Sequence, residues 1–550
     1  MPKPPLLLLM ASLPLALACS GDTDASARRS PLVTKPSRDG WSTTSTFAGF
    51  TLVAPLDSKR VYLVDMAGEE VHHWDTASKP GVATYLTERG TLLKCQRAID
   101  HPTFRDSGGF GGSFQEIAAD GTVLWNFVWD SESGLQHHDI EEMPNGNVLL
   151  IAWDRSGRDV AIDAGRDPEL LEGEEWWACA VYEIHPTRPE GGEVVWSWHA
   201  MDHLVQNQDS DLPHFGKPSE HPERIDINGD RDPDPPSEEE QKEIDDQIAA
   251  MGYGGGDDEG RDEDDGDEED KEDEDPADVA RKARVKNADW AHTNGIDYNA
   301  ALDQIALSVR RFDEVWIIDH ATTTEEAKGP KGDLLYRWGN PFAYGMGKHE
   351  DRQLLGQHHV QWIPEGQLGA GNLIVFNNGA KPREWSTATE WWAPRDEDGR
   401  YPRADGGPWG PAMPDWEYAA PEPEDFFSSF ISGVQRLANG NTLICSGTSG
   451  RVFEVTPGGD VVWDWKSPFT LAEGEVPGGD LKEFPTALFR ATRYAADHPG
   501  IVALRAAGAS LPLSAGTGPA TNHYVPPEPD PEEADGEESE EEGDNAEDGD

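Results

Sequence analysis

Three histidines occupy one position of a repeated sequence pattern, and imidazole is well suited to nucleophilic or acid–base chemistry near neutral pH. Each lies six residues before the residue that opens a predicted hairpin turn, as does a serine in a fourth copy: His138, His292, His358 and Ser432. Residues at equivalent places in a repeat occupy equivalent places in the fold. We therefore expect the three imidazoles to converge although they lie far apart in the chain.

An amide and a guanidinium are predicted to join these imidazoles. Asn294 lies two residues after His292, so strand alternation places both side chains on one side. On the following strand, polar Ser308 and Arg310 alternate with apolar residues, which puts Arg310 on the polar face. A guanidinium binds oxyanions well. The candidate catalytic set is therefore His358, His292, His138, Arg310 and Asn294.

The same residues have other interpretations. A single histidine at a strand start is more often a structural hydrogen-bonding residue, and the alternative for Arg310 is a surface ion pair with Asp303 or Asp313. Three imidazoles with an open position also form catalytic zinc or iron sites. Arg310 argues against a metal because a guanidinium repels a divalent cation, so no metal or other cofactor is predicted. Because side chains alternate between the two faces of a strand, His137 and His359 should point away from the site, and we predict structural roles for them.

These residues need a repeating scaffold, and the chain holds about six copies of one two-hairpin pattern. A strand leads through a turn such as Pro-Asn-Gly-Asn to a second strand, and the copy ends in Gly-x-Val-x-Trp; examples are residues 143–151, 437–444, 114–125 and 452–465. Asn-Gly and Asp-Gly form hairpin turns because they tolerate positive φ. The pattern predicts an all-β fold, a six-bladed β-propeller whose first strands line a central channel. A β-sandwich with coincidental hairpins is the alternative.

The first residues are typical of an export signal. Lys3 precedes an apolar stretch, residues 6–17, that is too short to span a membrane, and small residues precede Cys19. The pattern resembles a bacterial lipoprotein signal, in which Cys19 is lipidated, although Ala16 stands where leucine is commonest. An ordinary secretory signal is the alternative. We expect an exported protein in the periplasm or at the outer membrane or cell surface, touching the membrane only through an N-terminal lipid.

The chain is strongly acidic, with 45 basic and 105 acidic residues among 550 and a formal net charge of −60. Such a field repels nucleic acid and anionic membrane surfaces, so neither is a predicted partner. Two runs rich in Asp and Glu are predicted to be solvated and disordered. The predicted organisation is a signal at 1–19, a linker at 20–45, propeller segments at 46–216 and 286–505, an acidic insertion at 217–285 and an acidic tail at 506–550.

Two smaller patterns have competing interpretations. Residues 226–232 alternate oxygen ligands around a glycine as a calcium loop does, but they lack the closing glutamate, so we favour a plain acidic linker. Three cysteines follow Cys19: Cys95, Cys179 and Cys445. One disulfide plus one free thiol fits an oxidising compartment, and the lack of a Cys-x-x-Cys pair gives no support for zinc bound through cysteine.

Four short motifs resemble those of one enzyme family. They are His138-Asp139 followed by Pro144-Asn-Gly-Asn147, Trp290-Ala-His-Thr-Asn-Gly-Ile-Asp-Tyr298, Ser308-Val-Arg310, and Gln357-His358 leading to Phe376-Asn-Asn-Gly379. Together they resemble the bacterial arylsulfate sulfotransferases (arylsulfotransferases), over residues 49–465 apart from the acidic insertion. The histidine–asparagine–arginine spacing is specific, whereas the hairpin turns are shared with many propellers.

The resemblance implies a fold and a chemistry. Members of this family are periplasmic six-bladed propellers. They move a sulfuryl group from a phenolic sulfate ester to a phenol through a transiently sulfated histidine, without a nucleotide sulfate donor. By motif, His358 corresponds to that nucleophile, and His138, His292, Asn294 and Arg310 surround the sulfuryl group. The implied partners are a small-molecule phenolic sulfate donor and a phenol acceptor.

This chain departs from the family pattern in three places. They are the acidic insertion, the doubled His358-His359, and a Trp- and Pro-rich segment at 380–424 that replaces part of a blade. Two other functions therefore remain open. One is a non-catalytic cell-envelope propeller lipoprotein that binds ligands or partners, and the other is a metal-dependent hydrolase.

Overall fold

A computed structural model describes most of the chain: residues 31–38, 41, 43, 45–98, 101–104, 107–233, 282–380, 383–404, 406–469 and 486–516. The predicted signal peptide with Cys19 lies outside these residues, as do residues 234–281 of the predicted insertion and 517–550 of the predicted tail. None of the described helices is long and apolar enough to cross a membrane.

Most of the regular structure is β-strand, numbered here in chain order. The strands are β1 (Gly49–Pro55), β2 (Arg60–Val64), β3 (Glu70–Asp75), β4 (Pro80–Leu86), β5 (Leu92–Arg97), β6 (Gly112–Ile117), β7 (Val123–Val128), β8 (Asp130–Ser131), β9 (Gly134–Glu142), β10 (Val148–Gly157), β11 (Glu175–Pro186), β12 (Gly192–His199), β13 (Leu204–Val205), β14 (Ile225–Asp226), β15 (Thr293–Asn299), β16 (Gln304–Val309), β17 (Glu314–Asp319), β18 (Tyr336–Trp338), β19 (His358–Trp362), β20 (Leu373–Asn377), β21 (Thr387–Trp391), β22 (Trp416–Tyr418), β23 (Gly433–Arg436), β24 (Thr442–Ser446), β25 (Arg451–Val455), β26 (Val461–Lys466) and β27 (Leu488–Ala495). Short α-helices lie at Arg158–Asp163 (α1), Thr324–Ala327 (α2) and Pro499–Ala506 (α3).

Six antiparallel sheets, here called blades one to six, are arranged in a ring. Blade one has the strand order β27-β1-β2-β3, blade two β4-β5-β6-β7, blade three β8-β9-β10-β11-β12, blade four β15 to β18, blade five β19 to β22, and blade six β23 to β26. The inner strands β27, β4, β9, β15, β19 and β23 each contact the next, and β23 contacts β27 again. The predicted six-bladed β-propeller is confirmed.

Blade one closes the ring by joining distant parts of the chain. Strand β27 pairs antiparallel with β1, so that Val53 lies opposite Ala491. In the other blades the inner strand precedes the three strands outside it in the chain, but the inner strand of blade one comes last. A residue on β27 therefore faces inner strands that lie several hundred positions earlier in the sequence.

The hairpins form where the turn chemistry predicts them. Gly146 and Gly440, each preceded by asparagine, have φ values of 83° and 93°, in the left-handed region that glycine enters without steric cost. The side chain of Asn145 accepts the backbone N–H of Asn147 at 2.9 Å, which closes the turn of blade three.

Tryptophans near the ends of the repeat units tie neighbouring blades together. The indole N–H groups donate to backbone carbonyls of the next blade or its connections: Trp125 to Gly191 at 2.8 Å, Trp198 to Gly332 at 2.8 Å, and Trp463 to Met66 at 2.9 Å. All three side chains are buried. Large aromatic area is thus buried without leaving the polar N–H groups unpaired.

Residues 217–233, the first part of the predicted acidic insertion, contain regular structure. Strand β14 pairs in parallel with β13. Arg166 donates to Asp230 at 2.8 Å and to the carbonyl of Ile227 at 2.6 Å, so the calcium-like pattern contains a carboxylate already paired with arginine. Residues 217–233 share the Pro- and Asp-rich composition of the acidic run beyond residue 233, so composition alone could not mark the boundary.

The predicted linker and tail also contribute packed residues. Within the linker, Leu32 forms a β-bridge with Asp396, and Lys35 pairs with Asp415. After α3, the buried Leu511 and Ala515 join the core of blade one, where the backbone N–H of Met66 donates to the carbonyl of Ala515 at 2.9 Å. The first residues of the predicted tail are therefore packed against the propeller.

Cys95, Cys179 and Cys445 are free and buried, on β5, β11 and β24 of three different blades. The disulfide considered in the sequence analysis is therefore not formed among them. Burial raises the pKa of the Cys179 thiol to about 12, and it raises those of the other two thiols as well. Buried thiols with raised pKa values are poor nucleophiles.

Candidate active site

Left-handed residues lie within or just before several inner strands. His138 and His292 have φ values of 52° and 46°, and Ser432 just before β23 has 86°. In blade five the left-handed residue is His359 (φ 59°) and not His358. Such a kink re-aims the side chains beside it and breaks simple alternation along the strand.

The doubled histidines of blade five have different surroundings. His359 accepts the backbone N–H of Val434 on its Nδ1 at 3.1 Å, so it joins blade five to blade six. Its predicted structural role is in keeping with this contact. His358 instead lies among the other candidate residues, as its hydrogen bonds and its electrostatic neighbours Arg310 and His292 indicate.

His358 is held in one orientation and one tautomer. Its Nδ1 lies 2.7 Å from Oδ1 of Asn378 and 3.1 Å from the carbonyl oxygen of Gly356. The amide of Asn378 is itself oriented, because its Nδ2 donates to the carbonyls of Ser428 at 2.7 Å and Ile431 at 3.1 Å. Both neighbours of Nδ1 are therefore acceptors, so Nδ1 carries the proton and Nε2 carries the lone pair.

The Nε2 atom of His358 is available for chemistry. It is buried, and it has no hydrogen-bond partner within the described part of the chain. Burial, and then the guanidinium of Arg310, hold the pKa of His358 well below its ordinary value. The imidazole is thus neutral at pH 7, and a neutral, oriented imidazole can act as a nucleophile.

His292 forms a dyad with a buried carboxylate. Its Nδ1 lies 2.6 Å from Oδ2 of Asp289, whose other oxygen accepts the backbone N–H of His292 at 3.1 Å and the indole N–H of Trp153 at 2.9 Å. Burial alone would raise the pKa of Asp289, but His292 lowers it to about 2. For His292, burial outweighs the opposing effect of Asp289 and lowers the pKa. Because Nδ1 of His292 is held by Asp289, Nε2 is the ring nitrogen that is left for acid–base chemistry.

His138 lies against His292, with ring centroids 4.7 Å apart and planes at 73°. Burial, and then His292, hold the pKa of His138 well below its ordinary value. The loop before β6 covers it: the backbone N–H of His138 donates to the carbonyl of Gly109 at 2.8 Å. A Cβ on Gly109 would lie 2.0 Å from Cε1 of His138, so only glycine fits there.

Asn294 and Arg310 complete the candidate set. The Nδ2 of Asn294 donates to the carbonyl of Gln357 at 2.8 Å, and its Oδ1 is buried without a hydrogen-bond partner among the described residues. Strand β16 ends at Val309, so Arg310 begins a 3-10 turn rather than continuing the strand as predicted. Its backbone N–H donates to the carbonyl of His292 at 3.2 Å, which keeps it beside the site.

The five predicted residues are thus brought together. The ring of His138 contacts that of His292. Both Arg310 and His292 act electrostatically on His358, and Asn294 donates to the carbonyl of Gln357, the residue before His358. His137 stacks on Trp153 at 4.1 Å, which fits its predicted structural role. Among the residues that the structure describes, no group of three or more His, Cys, Asp and Glu side chains is arranged to hold a metal ion.

Comparison with known proteins identifies the family. The family model described as "Arylsulfotransferase (ASST)" matches residues 58–456, which is most of the chain and includes all five candidate residues. The chain belongs to the arylsulfotransferase family. Membership supports arylsulfotransferase activity in general, with an aryl sulfate and a phenol as the small-molecule substrates.

Solved structures that are similar to this arylsulfotransferase family member include proteins of low sequence identity. No curated protein matches the chain. A protein of unknown function from Bacteroides caccae is 11% identical, with 81% of this chain and 98% of that one covered and a TM-score of 0.38. The apo form of AztD from Citrobacter koseri is 10% identical, with 82% and 99% covered and a TM-score of 0.31. Structural similarity at these TM-scores supports no inference about function.

Several residues of the arylsulfotransferase site were not found from the sequence. Asp289 lies three residues before His292, and Asn378 lies within the Phe376–Gly379 motif, but neither received a role. Arg490, Asp139 and Tyr85 form a buried group beside Asn294. No local sequence pattern indicated a role for Arg490, because this residue lies on the closing strand β27, outside the four motifs.

Proposed function

We propose that this arylsulfotransferase works by a ping-pong mechanism in which Nε2 of His358 is transiently sulfated. The observation that supports this most is the fixed tautomer of His358. Its Nδ1–H is directed at Asn378 and Gly356, and its Nε2 lone pair is left without a partner among the described residues, in a buried site. A carboxylate nucleophile would be repelled by the negative charge of a sulfate monoester, and a neutral imidazole is not.

In the first half-reaction, Nε2 of His358 attacks the sulfur atom of the donor. The N–S bond forms as the bond between sulfur and the phenolic oxygen breaks, and the electron pair leaves with the phenolate. The ring retains its Nδ1 proton and becomes positively charged. The carbonyl oxygens of Asn378 and Gly356 accept that N–H and stabilise the charge.

His292 moves the proton. The negative charge of the bound donor favours the protonated form of His292, whose Nε2 then donates to the leaving phenolate. In the second half-reaction the same atom accepts the proton of the incoming phenol. That phenol oxygen then attacks sulfur, the N–S bond breaks, and His358 returns to its neutral form. Asp289 keeps the ring of His292 oriented through Nδ1 and stabilises its charged state.

Arg310, Asn294 and His138 are proposed to bind the sulfuryl oxygens. Charge shifts from the sulfuryl group toward the leaving oxygen during transfer, and preorganised donors stabilise that distribution without reorganising. By analogy with phosphoryl transfer, positioning and electrostatics supply most of the catalysis. Loss of one such donor costs about 3 kcal/mol of transition-state stabilisation.

A chromogenic aryl sulfate tests the proposal. We expect slow release of the coloured phenol alone, stimulation by an added phenol acceptor, and loss of both in His358→Ala. The control is His185→Ala, because His185 is an exposed histidine on β11 outside the site. Full transfer by His358→Ala would refute the assignment. Release that phenol does not stimulate would indicate hydrolysis, and no release of any aryl sulfate would favour a binding protein.

We also propose, from residues 1–19, that the protein is exported and lipidated on Cys19. Metabolic labelling with a fatty acid should mark the wild-type protein and not Cys19→Ala, which should leave the membrane fraction. Unlabelled, soluble wild-type protein would favour an ordinary secretory signal.

A further inference from the structure

One buried arginine joins four of the six blades beside the candidate site. Arg490 stands on β27, and its side chain is only 4% exposed. Its Nη1 donates to Oδ2 of Asp139 at 2.6 Å and to the hydroxyl of Tyr85, and its Nη2 donates to the carbonyl of Asn294 at 3.0 Å. These partners lie on β9, β4 and β15, the inner strands of three other blades.

The carboxylate of Asp139 extends the same group of contacts. Its Oδ1 accepts the hydroxyl of Tyr85 at 2.7 Å and the backbone N–H of Ile140 at 2.9 Å. Its Oδ2 accepts the backbone N–H of Ile296 at 3.1 Å as well as Arg490. Asp139 directly follows His138, and Ile296 lies two residues after Asn294. These hydrogen bonds therefore fix the backbone next to two site residues, His138 and Asn294.

Two glycines leave room for this arrangement. A Cβ on Gly295 would lie 3.4 Å from Nη2 of Arg490 and 3.2 Å from the backbone nitrogen of His359. A Cβ on Gly433 would lie 3.2 Å from Cγ of Arg490 and 2.6 Å from Nδ1 of His359. A side chain at Gly433 would therefore clash with His359, and one at Gly295 would be tightly packed against His359 and Arg490.

We propose that Arg490 is a positioning residue for sulfuryl transfer: through Asp139 and the carbonyl of Asn294 it sets the places of His138 and Asn294 in the site. The inference rests on the proposed function, because it concerns how the same site is held. Arg490 binds no substrate in this account. Displacement of a catalytic group by about 1 Å can lower turnover by about 10²-fold, so the contribution of such a residue is large.

The charge of Arg490 supports the same role. It is among the groups that lower the pKa values of His138, His358 and His359. Burial is the largest cause in each case. For His358, Arg310 and then His292 also lower the pKa ahead of Arg490, while Asn378 raises it. Removal of the Arg490 charge should therefore raise the pKa of His358. The acidic limb of the pH–activity profile, where protonation of His358 lowers activity, should then move to higher pH.

Strand β27 contains a matched control. Arg493 is also a buried arginine, and its guanidinium pairs with Glu454 at 2.6 Å and with the hydroxyl of Thr51 at 3.0 Å. Its partners lie on β25 and β1 and include none of the candidate site residues. Loss of either buried ion pair should destabilise the fold, but only loss of the Arg490 pair should displace the site.

The test compares full-length wild type, Arg490→Gln, Arg490→Lys and Arg493→Gln. For Arg490→Gln we expect kcat to fall by about 10²-fold with KM within about threefold, and the acidic limb to move to higher pH. Arg490→Lys should keep the wild-type acidic limb with a reduced kcat, because it keeps the charge and loses the paired contacts. Arg493→Gln should have kcat within about twofold of wild type despite a lower Tm. Wild-type kcat and pH profile in Arg490→Gln would overturn the inference.

Histidine titration by NMR separates this inference from the proposed function. The resonances of His138 and His358, assigned with His138→Asn and His358→Asn, report the imidazoles whether or not sulfuryl transfer occurs. If wild type transfers no sulfuryl group, the proposed function fails. In that case raised pKa values and altered chemical shifts for both histidines in Arg490→Gln would still support the positioning role, and unchanged titrations would overturn it.

Discussion

The Nδ1 atom of His358 lies 2.7 Å from Oδ1 of Asn378, whose own amide nitrogen is fixed by two backbone carbonyls. In the proposed mechanism, this relationship makes one of the two doubled histidines the nucleophile and defines Nε2 as its reactive atom. His359, one residue later, has its Nδ1 occupied by a backbone N–H of the next blade. The two imidazoles therefore differ in chemistry because of their partners and not because of their sequence context.

Asn378→Ala should lower kcat/KM by about 10–100-fold, because a buried hydrogen bond that orients the nucleophile is lost. Steady-state kinetics with an aryl sulfate donor measures the effect. Asn377→Ala is the control: the side chain of Asn377 is also buried and makes two hydrogen bonds, to Gln353 and Leu355, but it does not bind His358. Equal losses in both variants would mean that the effect is structural.

Asp289→Asn should lower transfer most strongly with donors whose phenols are weak acids. Those donors need a proton on the leaving oxygen, and the amide would no longer orient His292 or stabilise its charge. We expect a loss of about 10²-fold or more, and a steeper dependence of kcat/KM on the acidity of the leaving phenol. Asp154→Asn is the control, since Asp154 makes a comparable 2.6 Å contact with His199 on blade three. A uniform loss across all donors would contradict the acid–base role.

Gly109→Ala should lower activity, whereas Gly146→Ala should not. Both glycines have φ near +80°, so both substitutions carry a similar backbone cost of about 1 kcal/mol. Only at Gly109 would the added Cβ meet the ring of His138, at 2.0 Å, while no atom lies within 4 Å at Gly146. Thermal unfolding and kinetics on both variants separate the two effects. Equal activity of the two variants would show that the loop does not hold His138.

His320 should make stability depend on pH. It bridges Glu183 of blade three, at 3.2 Å, and Asp303 of blade four, at 2.6 Å. Burial works against its charge, but the two carboxylates raise its pKa above the ordinary value. Because the pKa of His320 is higher in the folded than in the unfolded protein, its charge stabilises the fold. This stabilisation is fully present below about pH 6.5 and is lost as pH rises through the folded-state pKa.

The measurement for His320 is the Tm of wild type and His320→Gln at pH 6 and pH 9. We expect the substitution to lower Tm by about 1–3 °C at pH 6 and by less at pH 9. The exposed substitution His185→Gln should show no such difference. A larger destabilisation by His320→Gln at pH 9 than at pH 6 would contradict the assigned charge.

Much of the fold was readable from the sequence because its signals are local. Asn-Gly turns such as Asn145-Gly146 fix hairpins, and repeated hairpins predict blades. The common spacing of His138, His292 and His358 from their turns then indicated one site. Arg310 was placed beside that site although it stands in a turn and not on a strand, because β16 ends at Val309, opposite Thr293, the residue after His292.

The parts that were missed depend on tertiary contacts. Arg490 comes from the strand that closes the ring, and no spacing within a repeat relates it to Asn294. Asn378 acquires its role from carbonyls of residues 428 and 431 in the next blade. Residues 217–233 share the Pro- and Asp-rich composition of the acidic run beyond them, so composition did not separate the two. Residues 506–516 contain no acidic residue, and the packing of Leu511 and Ala515 against blade one depends on tertiary contacts.

Trapping of a sulfated intermediate tests whether the sulfuryl group passes through Nε2 of His358. The full-length protein is mixed with an aryl sulfate without acceptor, quenched, digested under alkaline conditions and mapped by mass spectrometry. We expect a sulfuryl group on the ring of His358 in the peptide that contains this residue, and we expect it to disappear when a phenol is added before the quench. Sulfation of another residue, or rapid transfer to phenol with no sulfated His358 in the pre-steady state, would contradict this expectation.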